Sequence, residues 1–293
     1  MISRSNFVII VVFYPDHARL VELCNVVGLN AHVVIVDNTP DAVHPRDLRV
    51  SCWISMEGNK GIAAAQNAGI RAAINRGAQT VAFFDQDSMP EPQLLPTLIA
   101  ALGSPPQGIV APICLDARTG DEYPPFRFNR WGWAKSVFVE NSKENVAADL
   151  IISSGSVVAV DVFERAGLMD EDFFIDYVDL EWCIRCRKAG VPITVVSAVT
   201  MRHSIGNEVI KYGPVTTYVH SPVRAYYRLR NAFLLLRKPQ VPVLYAFHEI
   251  AAAVVHHVLQ LRPSVNRTEH LRLGLRALFD GIKGVRGKLI DSI

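Results

Sequence analysis

Several features that mark common protein classes are missing from the sequence. Its 293 residues include five cysteines, an odd number without a framework spacing, which excludes a disulfide-stapled secreted domain. There is no internal repeat and no low-complexity segment, and 50% of the residues are hydrophobic. A chain of this length and composition can bury a large core, so it is neither a disordered chain nor a repeat array.

No glycine-rich turn follows the first apolar run. The run ends in FYPDHA at residues 13–18, whereas a dinucleotide-binding enzyme needs glycines there to bring the backbone close to a pyrophosphate. A nicotinamide dehydrogenase is therefore excluded, although the chain shares the alternation of strands and helices that such enzymes have.

Signals for export or membrane insertion are also missing. The opening MISRSNFVII has neither the basic region nor the cleavage site of a signal peptide, so we expect a cytoplasmic protein. The most apolar long stretch, residues 241–261, contains His248, Glu249, His256 and His257. These side chains would be costly in hydrocarbon, and we predict a packed helix there.

Charge is distributed unevenly along the chain. The formal net charge is +2, but residues 201–293 hold 14 basic and 5 acidic side chains. An anionic partner should therefore meet the C-terminal third. We expect no nucleic-acid partner.

Short β-branched runs alternate with helical patterns over the first 115 residues. The run FVIIVVF has no polar interruption, as expected of a strand covered on both faces. The alternation predicts an α/β fold with a Rossmann-like, mainly parallel central sheet and flanking helices. The predicted strands lie at residues 7–13, 32–37, 50–54 and 80–84, and the predicted helices at about 16–27 and within 61–77.

The second half of the chain is organised differently. Prolines and aromatic residues between about 116 and 149 predict a hairpin or lid. We then expect a strand at 156–160, a helix at about 179–189, a strand at 193–196 leading toward His203, and a helical, basic remainder from about residue 221. This predicts a domain of residues 1–235 and a helical basic extension of residues 236–293.

Polar residues follow several predicted strands. Tyr14, Asp37, Asn38 and Asp85 all stand at such ends, and ligands of open parallel sheets collect beyond the carboxyl ends of the strands. We therefore expect these residues to line one crevice.

Two carboxylates, Asp85 and Asp87, flank Gln86 directly after the strand that ends in AFF. Oxygen ligands of this kind suit magnesium or manganese, which often share them with substrate phosphates. A strand-ending aspartate that caps the next helix is the alternative.

A second acidic group contains Asp176, Asp179 and Glu181. Like charges this close need a metal, basic partners or shifted pKa values, which makes the group a candidate general base. It also suits a helix N-terminus, where acids offset the helix dipole. Both roles are compatible.

Taken in order, the motifs resemble a known family. The sequence is similar to family-2-type glycosyltransferases of the GT-A fold, and most similar to the bacterial rhamnosyltransferases among them, over about residues 7–235. The motifs that carry this resemblance are VVIVDN, GNKGIAAAQNAG, FFDQDS, SSGS, MDEDFFIDYVDLEWCIRCRKAG and RHSIG.

The resemblance implies a role for each motif. Asp87 would ligate the divalent cation, magnesium or manganese, and His203 would complete the metal or diphosphate site. Asp179 matches the catalytic acid, but Val178 stands where the family commonly has Glu, so Asp176 remains a rival base. The residues assigned to the nucleotide sugar are Tyr14, Asp37, Asn38, Asn59, Gly61, Asn67, Asp85, Gln86 and Arg230.

The resemblance also implies the reaction. A nucleotide-sugar donor would pass its sugar to a glycan or lipid-linked glycan in one displacement, which inverts the anomeric centre. We hypothesise dTDP-β-L-rhamnose as the donor and a cell-surface glycan or glycolipid as the acceptor. The alternatives are another nucleotide sugar or a non-catalytic carbohydrate-binding protein, which would not need Asp87, Asp179 and His203 together.

The acceptor side rests on fewer residues. Trp131 and Trp133 can be core residues or a flat platform for a pyranose ring, and we assign them to the acceptor with Ser154 and Gly155. Arg230, with its neighbours Arg228 and Asn231, can reach a diphosphate, because guanidinium binds phosphate in bidentate fashion. A solvated helix face is the alternative for these three.

An amphipathic pattern closes the chain. Leucine, isoleucine and valine recur at steps of three and four residues from Leu271 to Leu289, with arginine and lysine between them. Such a helix can lie on an anionic membrane or pair with a partner helix. We expect peripheral contact with the inner face of the cell membrane.

Overall fold

An eight-stranded sheet lies at the centre of the computed structural model, which describes residues 5–45, 47–139, 142, 144–203, 208–212, 215–261 and 266–290. Its strands are β1 (Asn6–Val12), β2 (His32–Asp37), β3 (Cys52–Ser55), β4 (Thr80–Asp85), β5 (Ile109–Asp116), β8 (Val146–Ala148), β9 (Val157–Ala159) and β10 (Ile193–His203). The order across the sheet is β3-β2-β1-β4-β9-β5-β10-β8.

The pairing of these strands is parallel in two blocks. Strands β3, β2, β1 and β4 are parallel neighbours, and β5 is parallel to β10. The short strand β9 joins the blocks and is antiparallel to both β4 and β5, while β8 is antiparallel to β10 at the edge. The prediction of an α/β fold with a mainly parallel central sheet is confirmed.

Helices cover both faces of the sheet. They are α1 (His17–Val27), α2 (Ile62–Ile74), α3 (Leu94–Ala101), α4 (Asp161–Ala166), α5 (Val178–Lys188), α6 (Pro222–Leu235), α7 (Val243–Gln260) and α8 (Arg267–Lys283). Alternate residues of β1 enter opposite layers: Ile9 packs with the α2 side, and Val8 and Ile10 pack with the α1 side. A strand buried on both faces therefore needs the unbroken apolar run that the sequence shows.

Most predicted elements match the structure within a few residues. The helix predicted from about residue 16 begins at His17, because the Asp16 carboxylate caps it by accepting the Arg19 N–H at 3.1 Å. The region between about residues 116 and 149 contains the predicted hairpin, which is formed by β6 (Phe126–Phe128) and β7 (Ala134–Ser136). Helix α3 and strand β5 were not predicted individually. A further hairpin of β11 (Glu208–Tyr212) and β12 (Val215–Val219) follows β10.

Strand β10 brings a distant residue to the carboxyl edge of the sheet. The sequence predicts a strand only at residues 193–196, but β10 continues to His203 after an irregularity between Val196 and Thr200. Its end lies beyond the same edge as the end of β4, where Asp85 stands. The fold therefore places two widely separated motifs together.

The C-terminal helices pack on one another. The apolar stretch at residues 241–261 forms α7, and no helix within the described ranges is long and apolar enough to cross a membrane. Helix α8 lies so close to α6 that a Cβ on Gly281 would stand 2.9 Å from Phe233. The division into a domain of residues 1–235 and an extension of residues 236–293 remains a prediction. In the structure, α8 of the predicted extension is in close contact with α6 of the predicted domain.

The final predicted helix is shorter than its apolar pattern. Helix α8 ends at Lys283, because Gly284 adopts a left-handed conformation with φ of 75°. Residues 285–290 then return to the segment before α5, where the Gly287 N–H donates to the Asp172 carbonyl at 2.7 Å.

Candidate active site

A cleft of about 720 Å³ opens beyond the carboxyl edge of the sheet. Its walls come from the ends of β1, β4 and β10, the start of α2, and the segments before α5 and along α6 and α7. The predicted site residues that line it are Asn38, Asn59, Gly61, Asp85, Gln86, Asp87, Ser154, Asp176, Asp179 and His203.

Asp85, Asp87 and His203 meet on one side of this cleft. Each offers a ligand atom, and these atoms all lie within 4.8 Å of one another. The His203 Nε2 atom is 3.5 Å from an Asp85 carboxylate oxygen. His203 Nδ1 is buried and has no hydrogen-bond partner among the described residues. Two carboxylates and an imidazole form a donor set that fits a divalent cation.

The electrostatics of Asp85 indicate that this edge needs positive charge. Burial raises the pKa of the Asp85 carboxyl above its ordinary value, and the Asp87 carboxylate adds to the effect. His203, Arg224 and a hydrogen bond from Ser154 oppose it. A cation beside these carboxylates would favour their ionised forms.

The second acidic group supplies two carboxylates in different surroundings. The Arg224 guanidinium holds Asp176 in an ion pair, with Nη2 3.2 Å from Oδ1. Asp179 accepts the Leu180 N–H at 2.9 Å. Burial raises the pKa of Asp179 to about 6, with smaller contributions from Asp85 and Asp176. A carboxyl group with that pKa suits a general base near neutral pH.

Two of the residues predicted to bind the nucleotide sugar, Asn59 and Gly61, belong to residues 58–61, called the GNKG segment here. The Asn38 side chain fastens this segment by donating to the Gly61 carbonyl at 3.1 Å and accepting the Lys60 N–H at 3.2 Å. Gly61 has φ of 92°, and a Cβ there would lie 2.6 Å from the Phe174 carbonyl oxygen. The segment therefore touches the chain that leads to Asp179.

The end of β1 is tied to the first acidic motif. Gln86 accepts the Phe13 N–H at 2.7 Å and donates to the Phe13 carbonyl at 3.2 Å. Asp37 is buried and accepts the Thr39 N–H at 2.7 Å, which shapes the turn after β2. Tyr14 is 66% exposed and does not line the cleft.

Two predicted nucleotide-binding residues lie in the interior instead. Arg230 is fully buried, and its guanidinium donates to the carbonyl oxygens of Phe173 and Gly287. Asn67 is also buried and bonds to both the N–H and the carbonyl of Met169 at 2.9 Å. The structure corrects both placements: backbone groups and the side chains of Glu171 and Asn231 satisfy these polar groups, and neither residue lines the cleft.

The predicted acceptor residues are divided. Ser154 lines the cleft and donates or accepts a hydrogen bond with Ser88 at 2.9 Å. Gly155 lies beneath it with φ of 82°, against Met201. Trp131 and Trp133 are 66% and 50% exposed at the β6–β7 hairpin, and the Trp133 ring contacts His248 of α7 at 5.0 Å. They lie outside the lining of the cleft.

Sequence reasoning missed several cleft residues. His220, Arg224 and Glu249 line the cleft without having been predicted there, and Arg228, one of the three residues expected to reach a diphosphate, also lines it. Burial, helped by the Arg224 guanidinium, lowers the pKa of His220 to about 4. The four-residue spacing from Arg228 on one helix face is the signal that could have identified Arg224. Residues 204–206 of the RHSIG motif lie outside the described residues.

Several known proteins are similar to this chain in sequence or in fold. A sequence model of Glycosyl transferase family 2 matches residues 9–165. A dTDP-rhamnosyl transferase, RfbF of Shigella flexneri, is 35% identical over 289 residues, which cover 97% of this chain and 98% of RfbF.

The chain belongs to glycosyl transferase family 2.

A more distant sequence relative and two solved structures are also similar, the structures in fold. The low-salt glycan biosynthesis hexosyltransferase Agl10 of Haloferax volcanii is 25% identical over 239 residues, covering 77% of this chain and 74% of Agl10. The crystal structure of S. aureus TarS 1–349 superposes with a TM-score of 0.56 at 15% identity, covering 96% of this chain and 81% of that chain. GalNAc-T7, solved with UDP, GalNAc and Mn²⁺, gives 0.56 at 13% identity, covering 86% and 57%.

Family membership and fold together define the class of activity. The protein is a glycosyltransferase with the GT-A fold, as the resemblance implied. Its Asp85, Asp87 and His203 form an arrangement at the edge of the sheet that could hold a metal ion.

Replacing Asp179 by Asn should stabilise the protein at alkaline pH. Because the folded pKa of about 6 exceeds the unfolded value, the ionised carboxylate destabilises the fold above pH 6, and this penalty fades as pH falls. We expect Asp179→Asn to raise the free energy of unfolding by about 1 to 2 kcal/mol at pH 8, allowing for partial exposure.

Urea unfolding of both proteins between pH 8 and pH 4 checks this. The advantage of Asp179→Asn should shrink through pH 6 and vanish near pH 4. An advantage that is constant with pH, or a loss of stability at pH 8, would contradict a raised pKa for Asp179.

Proposed function

We propose that this glycosyltransferase moves L-rhamnose from dTDP-β-L-rhamnose to a hydroxyl of a cell-surface glycan or glycolipid, with inversion at the anomeric carbon. The observation that carries the proposal is the presence of two acidic groups in one cleft. Asp85 and Asp87 lie beside His203, and Asp179 lines the same cleft with a raised pKa. The donor is supported by the likeness to a dTDP-rhamnosyl transferase over nearly the whole chain.

The metal-binding side accommodates the leaving group. Asp85, Asp87 and His203 would hold magnesium or manganese, which would neutralise the charge that develops on the departing diphosphate. Asn38, Asn59 and Gly61 line the part of the cleft that would hold the rest of the donor.

The base side accounts for proton removal. Asp179 would take the proton of the acceptor hydroxyl as its oxygen attacks the anomeric carbon, and a single attack of this kind inverts the centre. Asp176 is the weaker candidate, because its carboxylate already pairs with Arg224. The Arg224 guanidinium also interacts electrostatically with Asp85 and Asp179. It can therefore bind either the diphosphate of the donor or the acceptor.

The acceptor enters from the side of the C-terminal helices. Glu249 of α7 lines the cleft and accepts a hydrogen bond from the Tyr177 hydroxyl at 3.1 Å. The neighbouring His248 contacts Trp133. Trp131 and Trp133 would extend this side outward as a platform for further sugar rings.

A donor panel tests the proposed function. We expect wild-type protein with Mn²⁺ to hydrolyse or transfer from dTDP-β-L-rhamnose at least tenfold faster than from UDP-glucose or UDP-N-acetylglucosamine. Turnover should fall below about pH 6 as Asp179 becomes protonated.

Asp179→Asn and Asp176→Asn provide the matched pair. The Asp179 variant should lose at least a thousandfold in turnover while it binds dTDP as wild type does, and the Asp176 variant should retain more activity. Turnover of UDP-sugars alone would refute the rhamnose donor, and full activity of the Asp179 variant would refute the assignment of the base.

The last two helices support contact with a membrane. Helix α7 exposes Leu244, Phe247 and Val258, and helix α8 exposes Leu275 and Ile282, the latter two by 61% and 64%. Arg272 and Lys283 are exposed beside the α8 residues. Apolar side chains beside cations suit the surface of an anionic bilayer, where lipid-linked glycans are anchored. We therefore place the enzyme at the inner face of the cell membrane.

Vesicle flotation checks the membrane contact. Wild-type protein should float with vesicles that contain anionic phosphatidylglycerol and much less with neutral phosphatidylcholine vesicles. The double variant Leu275→Gln, Ile282→Gln should lose most of this binding, because about 1 kcal/mol or more of apolar transfer is removed at each position.

Val43→Gln is the control, because Val43 is an exposed apolar residue far from α8 in the chain. Equal flotation of wild type and the double variant would contradict the proposal, and so would an equal loss in the control.

A further inference from the structure

An unusual stretch of backbone precedes the proposed base. Residues 173–177, called the base loop here, connect a short 3₁₀ turn (Glu171–Phe173) to helix α5. Phe174, Asp176 and Tyr177 have φ of 64°, 61° and 65°. Residues with a Cβ rarely adopt this region, and such conformations persist only where the surrounding structure enforces them.

Asn231 of α6 holds the base loop from beneath. Its fully buried amide nitrogen lies 2.8 Å from the Phe173 carbonyl oxygen, 2.7 Å from that of Ile175 and 3.1 Å from that of Asp176. The Phe174 carbonyl instead accepts the Ile62 N–H at 2.8 Å. The loop carbonyls are thus bound by one side chain of α6 and by the start of α2.

Arg230 orients that side chain and links it to the end of the chain. Its Nε atom donates to Asn231 Oδ1 at 2.8 Å, which sets the direction of the amide. Its Nη2 atom donates to the Phe173 carbonyl at 3.2 Å, and its Nη1 atom donates to the Gly287 carbonyl at 2.7 Å. A fully buried guanidinium needs such partners, because an unpaired buried charge is very costly.

Residues 285–289, called the tail here, close this arrangement. The Gly287 N–H donates to the Asp172 carbonyl at 2.7 Å, and Arg286 Nη1 lies 3.2 Å from the Asp172 carboxylate. The Leu289 N–H donates to the Tyr227 hydroxyl at 2.7 Å. The Tyr227 ring stacks on Phe174 with centroids 4.8 Å apart. The tail therefore contacts the supports of the base loop, and Gly287 and Lys288 line a second pocket together with Asn59 and Phe174.

We propose that Arg230 and Asn231, completed by the tail, are positioning residues that hold the base loop so that Asp179 and Asp176 face the reacting hydroxyl. This rests on the proposed function, in which Asp179 is the base. It gives the C-terminal tail, which lies beyond the family match at residues 9–165, a part in catalysis through the base loop.

The geometry distinguishes positioning from ordinary packing. Arg230 and Asn231 direct their N–H groups at the carbonyls of one strained loop. That loop also contacts Gly61 of the GNKG segment. Loss of the support would let the loop relax to ordinary backbone angles. Asp179 would then shift relative to the donor while the metal-binding residues on β4 and β10 keep their places.

Two variants test the proposal with dTDP-β-L-rhamnose as the probe. Asn231→Asp keeps the shape of the side chain but removes the amide donors from three carbonyls. Gly287→Val leaves the core untouched, because a Cβ there would meet nothing within 4 Å, but its φ of 70° disfavours a β-branched residue and should release the tail. Gly77→Val is the matched control, with φ of 81° and equally open surroundings at the end of α2.

We expect kcat to fall at least tenfold in both test variants, with the Kd for dTDP and Mn²⁺ within twofold of wild type. The acid limb of the pH profile of kcat/KM should also move to lower pH, as Asp179 gains solvent. Gly77→Val should change none of these values. Arg230→Lys should lose activity as the test variants do, because one ammonium cannot replace the three directed donors of the guanidinium.

Unchanged kcat in folded Gly287→Val, or an equal loss in Gly77→Val, would overturn the positioning role while leaving the proposed function intact. If Asn231→Asp fails to fold, the Gly287→Val result decides alone. A wild-type protein without turnover of dTDP-β-L-rhamnose would instead overturn the proposed function, and this inference with it.

Discussion

The approach of His203 to Asp85 at the carboxyl edge of the sheet is the contact on which the rest of the site depends. The two side chains end different blocks of parallel strands, and their facing atoms are 3.5 Å apart. Asp87 joins them within ligand distance of a common cation. Carboxylates this close repel one another in a partly buried cleft, so positive charge from a cation, Arg224 and the imidazole is required to keep them ionised. That requirement explains why the leaving diphosphate, which needs the same cation, belongs at this wall.

A second part of the cleft is organised to keep a carboxyl group reactive. Asp179 is partly buried and has a raised pKa, whereas Asp176, three residues earlier, is paired with Arg224. Two acids on one turn thereby acquire different roles through their surroundings. The strained backbone before them is supported from α6, so part of the core serves the geometry of the site. Such arrangements reduce stability in exchange for function, which is common at active sites.

The sequence was most informative where a residue follows a buried strand. Asp85 and Asp87 come directly after the apolar end of β4, so their position could be predicted from the strand alone. Helical residues were harder. Gln66 and Asn67 are neighbours in one motif, but they differ by about 100° around the helix axis, and the structure places Gln66 in the cleft and Asn67 in the interior. Similarly, Arg224 and Arg228 reach the cleft while Arg230 is buried. The direction that each face takes depends on tertiary packing, which the sequence pattern of one helix does not contain.

The central claim is that a cation held by Asp85, Asp87 and His203 joins the nucleotide to the protein. Isothermal titration of dTDP, with and without Mn²⁺, tests it most directly in wild type and in Asp87→Asn. We expect Mn²⁺ to strengthen dTDP binding at least tenfold in wild type, and we expect Asp87→Asn to lose most of this gain while it retains its fold. Equal dTDP affinity with and without Mn²⁺, or a full gain in Asp87→Asn, would contradict it.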